Sequence, residues 1–474
     1  MIAWTAQQVA EATGGRLSQV DPTVMITGPV VTDSRQVEPG SLFVALPGEH
    51  ADGHDFAAAA VTDSGAHLVL AARELPGVPS VIVEDVEVAL GELARAVLAA
   101  LREAALETRE TLTVIGITGS VGKTTTKDLL AQICASAGPT IAPEKSFNNE
   151  IGLPLTVLRA DESTRFLVLE MGASGMGHLE YLTRIAPPDI AVVLVVGHAH
   201  LGGFGGIEAV AQAKSEIVSG LLPTGVAVLN ADDSRVAAMA SKAPGDVLTF
   251  GTTEAADVRA LDLRVDRAGR AAFTLELRDG QRADVQLRLV GEHHAHNALA
   301  AAATALTAGL SLEQVATALS GAEALSPHRM HVVDRPDGIT VIDDSYNANP
   351  DSMRAALKAL AVLAGRERRS VAVLGEMMEL GPDSRVEHEA IGLQVVRLNI
   401  GLTVVVGDGA RPIAAGAVRE GSWGEEVLFV DDVDQAAQVL SEELRPGDVV
   451  LVKSSNGSGL WRLGDLLIDG EVSA

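Results

Sequence analysis

At 474 residues the chain is too long for one ordinary hydrophobic core, so several domains are expected. Its composition, 47% hydrophobic and 21% charged with 47 glycines, is that of a soluble globular protein built from many short elements. A net charge of −27 excludes general nucleic-acid binding, because no basic stripe is available to displace counterions, and any anionic ligand must be held by local cations, backbone N–H groups or metal.

The first residues, "MIAWTAQQVAEATGG", lack the basic start and long apolar run of a signal peptide. Cys134 is the only cysteine, which excludes an intramolecular disulfide and suits a reducing compartment. Ala-rich stretches such as "ALAAAATALTAGL" are too short to span a bilayer. A cytoplasmic protein without membrane insertion is the expectation. Over residues 1–84 the short apolar runs "SLFVALP", "AHLVLA" and "SVIVED" are separated by Gly, Pro and Asp, the pattern of a small mixed α/β domain.

The stretch "EVALGELARAVLAALREAAL" reads as a helix, after which strand–loop–helix units follow with long apolar strands: "TLTVIGITG", "FLVLEMG", "DIAVVLVVG" and "GVAVLNAD". Near-continuous Val, Ile and Leu runs fit strands buried on both faces of a parallel sheet, so 85–325 is expected to be a central domain of P-loop ATPase type. Residues 258–290 alternate apolar and polar side chains and predict half-exposed antiparallel strands at the edge of that domain. Pro327 places a linker near 322–328. Beyond it, "ITVIDD", "SVAVLG", "LTVVVGD", "EVLFVDD" and "DVVLVKS" are spaced for intervening helices, predicting a Rossmann-like domain over 326–474. The fold class is therefore α/β, in three domains.

The chemistry begins at "TGSVGKTT". A strand running into a Gly-broken turn and then a helix makes an anion site from backbone N–H groups and the helix N-terminus. Gly119, Ser120 and Gly122 supply the loop, Lys123 a point charge for the β- and γ-phosphates, and Thr124 a hydroxyl for Mg²⁺, with Thr125 beside it. Ile117 stands where the usual motif has its first glycine. Glu170 ends an apolar strand, where a carboxylate is costly unless paired or coordinating. His198 and His200 follow the next strand, and an imidazole with a carboxylate could join phosphates around Mg²⁺; by spacing alone either is more often a hydrogen-bonding loop residue. The cluster "HHAHN" lacks the cysteines or second histidine pair that a zinc site needs.

Other residues are less explicit. Lys214 lies in a helical pattern and by itself reads as a solvated face residue, while Asn148 and Asn149 suit turns or a polar substrate equally. Arg329, just past the linker, could swing onto a phosphate when domains close. The stretch "VIDDSYNANPDSM" ends a strand with Asp343 and Asp344 and then offers Tyr346, Asn347 and Asn349, either as a ligand site at a strand end or as an Asx-rich turn. Lys453 in "VKSSNGSG" is a candidate carboxylate or phosphate partner.

Taken in order, "TGSVGKTT", "FNNEIGLP", "LEMG", "AHLGGFG", "AKSEI", "GEHHAHNALAA", "DDSYNANPDSM" and "GEMMELG" resemble the Mur ligases, ATP-dependent amide-forming enzymes of peptidoglycan precursor synthesis. The resemblance covers nearly all of the chain, from "TDSRQVEPGSLFVALPGEHADGHDF" onward. "DDSYNANPDSM" and "GEMMELG" are similar to the branch adding D-alanyl-D-alanine to UDP-N-acetylmuramoyl-tripeptide, and the "DYAHTP" and Asn-Pro-Arg motifs of the sibling adding the third amino acid are absent. This resemblance implies that Lys123 and Thr124 bind ATP phosphate and Mg²⁺, that Glu170 and His200, not His198, help hold metal, and that Lys214 becomes a carbamate near a second Mg²⁺. It further implies Asn297 at adenine, Arg329 at the phosphates, Asp344 near ribose, and Ser34 and Arg35 at the UDP end. Asn148 and Asn149 would lie along the substrate channel, and Tyr346, Asn347 and Asn349 on the dipeptide side of what is expected to be a monomer. Ser146 and "VKSS" depart from the family's usual Asn and "VKGS".

The implied reaction makes an acyl phosphate from the tripeptide carboxylate and ATP, which the amine of D-alanyl-D-alanine then attacks. Two rivals remain at this level: an ATP-gated binding protein whose loop drives shape change, and a folate-polyglutamating ligase on the same scaffold, against which the N-terminal "TDSR" region argues.

Overall fold

The structure of the chain, a computed structural model, describes residues 2–48, 51–197, 205–421 and 426–472. It has three α/β domains in chain order, each centred on its own sheet. The first holds a five-stranded sheet in which Arg16–Ser18, Ser80–Ile82, Leu68–Ala71, Leu42–Val44 and Val30–Val31 lie side by side, all pairs parallel except the first. One face packs on Ala57, Ala60 and Val78.

The other face is closed by the 23-residue helix Val86–Thr108. Asp85 caps this helix by accepting the Glu87 and Val88 N–H groups, and Arg109, in the left-handed region, ends it. Between them Leu90, Leu93, Ala94, Val97, Leu98 and Leu101 recur at helical spacing and are buried. One continuous core under this helix contains Leu42 and Val81 from the first domain together with Leu169 and Val193 from the second, so the first two domains share apolar packing.

The central domain carries a nine-stranded sheet. Thr113–Thr118 lies mid-sheet between Phe166–Glu170 and Ile190–Val193, parallel to both. The expected change of character over 258–290 is present: Val258–Val265, Arg270–Leu277 and Arg282–Val290 form an antiparallel meander at one end of the same sheet. On the opposite face from the long helix, His294–Thr307 packs through a run of fully buried alanines, whose small side chains bring the helix close to the strands.

The C-terminal domain holds a six-stranded sheet, parallel except for the edge strand His331–Asp334 on Thr340–Asp343. The strand Val449–Lys453, last of the six in chain order, is inserted between Thr340–Asp343 and Ser370–Leu374. The ends of these three strands are in register, so the loops that leave Asp343, Leu374 and Lys453 emerge on one side.

The linker between the last two domains is tied at both ends. Gln132, on the helix Lys123–Ala135, donates to the Glu323 carbonyl and accepts the Glu323 N–H, each at 3.0 Å. Asp128 on the same helix accepts the Ser326 N–H at 3.2 Å. Beyond Pro327, the His328 Nδ1 lies 2.6 Å from Asp343 Oδ2 in the C-terminal sheet. His328 and Met330 both have positive φ, +57° and +48°, a conformation that costs side-chain-bearing residues energy and is sustained by these flanking contacts. Among the described residues no helix is long and apolar enough to cross a membrane.

Candidate active site

The strand Thr113–Thr118 delivers the chain to the loop 119–122, and Gly122 caps the helix Lys123–Ala135 with φ +84°. A Cβ at Gly122 would also stand 2.4 Å from Asn297 Oδ1, so glycine is needed there for both backbone conformation and close approach. Lys123 Nζ donates to the Gly119 carbonyl at 2.8 Å, which holds its charge over the turn. Ser120 Oγ accepts the Gly197 N–H at 2.8 Å, pinning the loop to the chain that leaves the adjacent strand.

Next to the loop, Thr124 Oγ1 donates to Glu170 Oε2 at 2.9 Å, and Asn148 Nδ2 donates to Glu170 Oε1 at 2.7 Å. The Glu170 carboxylate, 1% exposed, is thereby satisfied on both oxygens. Ser146 Oγ lies 2.9 Å from Thr124 Oγ1 and accepts from Arg329 Nη2 at 3.2 Å. Asn149 Oδ1 accepts the Gly152 N–H at 2.9 Å at the start of the helix Gly152–Val157.

The facing wall comes from the C-terminal domain. The Arg329 guanidinium lies 4.3 Å above the Tyr346 ring, and its buried Nε has no partner. Lys453 Nζ contacts Asp344 Oδ2 at 2.6 Å and donates to the Asn347 carbonyl at 2.9 Å, while Asp344 Oδ1 accepts the Met330 N–H. Asn349 caps the helix Pro350–Ala364 through Ser352. The two walls enclose a cavity of about 900 Å³. Ser120, Gly122, Lys123, Thr124 and Thr125 line it on one side with Asn148, Asn149, Glu170 and Asn297. Arg329, Asp344, Tyr346, Asn347 and Asn349 line it on the other.

Burial shifts the cations. It lowers the Lys123 pKa, against the attraction of Glu170, and lowers that of Lys453 against the attraction of Asp344. Lys214, on the helix Ile207–Ser219, is 2% exposed, and burial with repulsion from Lys123 takes its pKa well below the ordinary lysine value. The solvated-face reading of Lys214 is therefore wrong. Val210, Ala213 and Ile217 are buried with it, so its position four residues after Val210 and three before Ile217 was the available signal.

Not every expected residue reaches the cavity. Gly119 and Lys214 do not line it. Ser34 and Arg35 sit in a short turn of the first domain, where Arg35 pairs with Asp33 at 2.7 Å and leaves its side chain 87% exposed. His198 and His200 lie outside the described residues. Within the candidate metal set, Thr124 and Glu170 come together, and a hydroxyl with a carboxylate is the hard oxygen donor set that Mg²⁺ prefers.

Sequence reasoning weighs His294 only as a zinc ligand within the "HHAHN" cluster and gives it no other role. Its Nδ1 lies 3.2 Å from Asn297 Nδ2, its Nε2 is buried without a partner, and burial holds its pKa well below the usual histidine value, so the ring is neutral at the cavity wall. The three-residue helical spacing to Asn297 could have marked it. Lys127 was missed: it is 1% exposed, donates to the Pro143 carbonyl at 2.7 Å and pairs with Asp128.

Residues 29–98, 117–305 and 328–456 match, in turn, the families described as "Mur ligase family, catalytic domain", "Mur ligase middle domain" and "Mur ligase, glutamate ligase domain". The chain is 49% identical to the UDP-N-acetylmuramoyl-tripeptide–D-alanyl-D-alanine ligase of Mycobacterium tuberculosis strain H37Rv, over 99% of this chain and 98% of that one. Its fold is similar to the crystal structure of MurF from Acinetobacter baumannii, with a TM-score of 0.86 at 32% identity over 98% of this chain and 99% of that one. It also resembles MurF from Thermotoga maritima in complex with ADP, with a TM-score of 0.77 at 29% identity over 94% and 98% of the two chains.

Proposed function

The chain belongs to the Mur ligase family, and from that premise we propose that it joins D-alanyl-D-alanine to the tripeptide carboxylate of UDP-N-acetylmuramoyl-tripeptide, converting ATP to ADP and phosphate. The observation that carries this reading is the cavity in which Lys123, Thr124 and Glu170 of the central domain face Arg329, Asp344 and Tyr346 of the C-terminal domain.

An amine cannot displace an oxide from a carboxylate, so the carboxylate must first be given a better leaving group. Its oxygen takes the γ-phosphoryl group of ATP, forming an acyl phosphate and releasing ADP. The amine of D-alanyl-D-alanine then attacks the carbonyl, gives up its proton, and phosphate departs from the tetrahedral adduct. Lys123 and the N–H groups of the loop spread the charge on the transferring phosphoryl group, which is where positioning and electrostatics act most. Arg329, held by stacking on Tyr346, brings a second fixed cation from across the cavity. Closure between the two walls excludes water, which would otherwise hydrolyse the acyl phosphate.

Thr124, Glu170, His200 and a carbamate on Lys214 would hold Mg²⁺, which when bound neutralises the phosphates and the carboxylate that must meet. Carbamate formation consumes a neutral amine and CO₂, and the depressed Lys214 pKa supplies that neutral amine. Asn297 serves adenine and Asp344 the ribose side. Ser34 and Arg35, in the domain formed by 1–84, take the UDP end; Asn148 and Asn149 follow the substrate, and Tyr346, Asn347 and Asn349 take the dipeptide. The enzyme is read as a cytoplasmic monomer; one chain supplies both walls of the cavity, so no second subunit is needed to complete it.

The test is mass spectrometry of the protein incubated with Mg²⁺-ATP, D-alanyl-D-alanine and, in turn, the UDP-muramoyl-tripeptides ending in diaminopimelate and in lysine. A pentapeptide product, with phosphate release that needs both acceptor and donor, supports the proposal and names the third residue. Phosphate release with neither pentapeptide formed would favour the ATP-gated binding protein instead.

A further inference from the structure

The hydrogen bonds around Glu170 can be ordered proton by proton. A carboxylate only accepts, so the single hydroxyl proton of Thr124 is committed to Glu170 Oε2. The contact of 2.9 Å between Thr124 and Ser146 must then use the proton of Ser146, with Thr124 Oγ1 as acceptor. Ser146 Oγ in turn accepts from Arg329 Nη2, a group that only donates. The chain therefore runs one way, from Arg329 through Ser146 and Thr124 to Glu170, whose other oxygen accepts from Asn148. It joins the residue just past the interdomain linker to the hydroxyl beside the phosphate loop.

We propose that Ser146 is a positioning residue for phosphoryl transfer, coupling the placement of Arg329 to the orientation of the Thr124 hydroxyl. With Arg329 in place, Ser146 Oγ has one lone-pair direction taken, and its proton is directed at Thr124. The Thr124 oxygen then accepts one bond and donates one, which fixes the direction of its remaining lone pair. With Arg329 withdrawn, Ser146 keeps only its bond to Thr124 and is held less firmly, so that direction is less well set. The site is thus completed only when the C-terminal domain delivers Arg329. A serine does this with one oxygen. An asparagine, the family's usual residue here, can do it with two atoms, its carbonyl accepting from Arg329 and its amide donating to Thr124.

This inference rests on the reading of the Lys123–Thr124 loop as the ATP site, and its test is separable from ligation. The dissociation constant of ADP in the presence of Mg²⁺ is measured by calorimetry for the wild type, Ser146→Ala, Arg329→Ala and the double variant, and kcat and KM for ATP are measured on the same four. Ser146→Asn serves as the conservative variant and thermal unfolding as the check on folding. Ser146→Ala is expected to weaken ADP and lower kcat by about fivefold or more, Ser146→Asn to recover most of the loss, and the double variant to be no worse than Arg329→Ala alone. Additive losses, or a Ser146→Asn variant as impaired as Ser146→Ala, overturn the coupling. Wild-type protein that binds ADP but forms no pentapeptide would defeat the proposed ligation while leaving the cycle in ADP affinity fully readable.

Discussion

Lys453 and Asp344 form a buried ion pair, Nζ to Oδ2 at 2.6 Å, between the ends of two neighbouring strands of the C-terminal sheet. Lys453 is 1% exposed and Asp344 8%, and the pair stands on the wall of the cavity. Each charge is tolerable there only because of the other.

Removing one partner should therefore cost far more than removing both. Asp344→Asn strands an ammonium out of water and is expected to destabilise the C-terminal domain by about 3 kcal/mol or more. Lys453→Met in the same chain should return much of that loss. Thermal unfolding of the two single variants and the double one measures this, and a double variant as unstable as the sum of the singles would refute it.

Lys123→Ala should leave the fold intact, because among the described residues the side chain's hydrogen bond is to a loop carbonyl at the cavity, and should lower ligation by about 10³-fold or more. The measurement is pentapeptide formation by mass spectrometry. Near-normal turnover would detach the loop from the chemistry.

Gly122→Ala meets two obstacles at once, a positive φ and the Asn297 carboxamide. Backbone strain of about 1–3 kcal/mol is expected to shift the loop and the Asn297 side chain together. The result should be a raised KM for ATP with little change in KM for D-alanyl-D-alanine. An equal change in both would place the disturbance elsewhere.

Lys214 should require CO₂. Activity in buffer stripped of CO₂ should fall and return on adding bicarbonate, and native mass spectrometry should show an increment of one CO₂ that Lys214→Arg abolishes. A depressed pKa favours the neutral, reactive amine, so the carbamate should form at neutral pH without an alkaline shift. Activity indifferent to CO₂ would remove the carbamate.

Acid should weaken the fold through buried imidazoles. Burial holds His293 down to about 4, and His294 and His388 are lowered by the same cause. Between the ordinary histidine value of about 6.5 and about 4, the unfolded chain takes up protons that the folded chain refuses, so stability falls as pH is lowered across that window. His293→Gln should flatten the dependence of melting temperature on pH from about 6.5 to about 5. A slope unchanged from wild type would assign the acid sensitivity to other groups.

The parts of the site that were legible in the sequence are those set by short stretches of chain. Gly122, Lys123 and Thr124 announce themselves because strand, turn and helix succeed one another within a short span, and Glu170 because a carboxylate ends an apolar run. The antiparallel meander over 258–290 was legible from alternation alone. Lys214 by residue type alone reads as a solvated face residue, and only the family resemblance moves it into the site. The stacking of Arg329 on Tyr346 and its bond to Ser146 join segments that no local pattern relates. The insertion of Val449–Lys453 into the middle of its sheet was likewise hidden, since strand order depends on which crossovers pack best and not on spacing.

That insertion has a consequence during synthesis. While Thr340–Asp343 and Ser370–Leu374 have already left the ribosome, the strand that separates them is still to come, and so is the ammonium that neutralises Asp344. Until that strand arrives, each of these strands lacks a neighbour it will pair with and Asp344 lacks its counter-ion, the kind of open edge that favours mispairing. The cavity wall at Asp344 and Lys453 and the sheet are both completed by this one late strand, so a chain truncated before Val449 is expected to fold defectively.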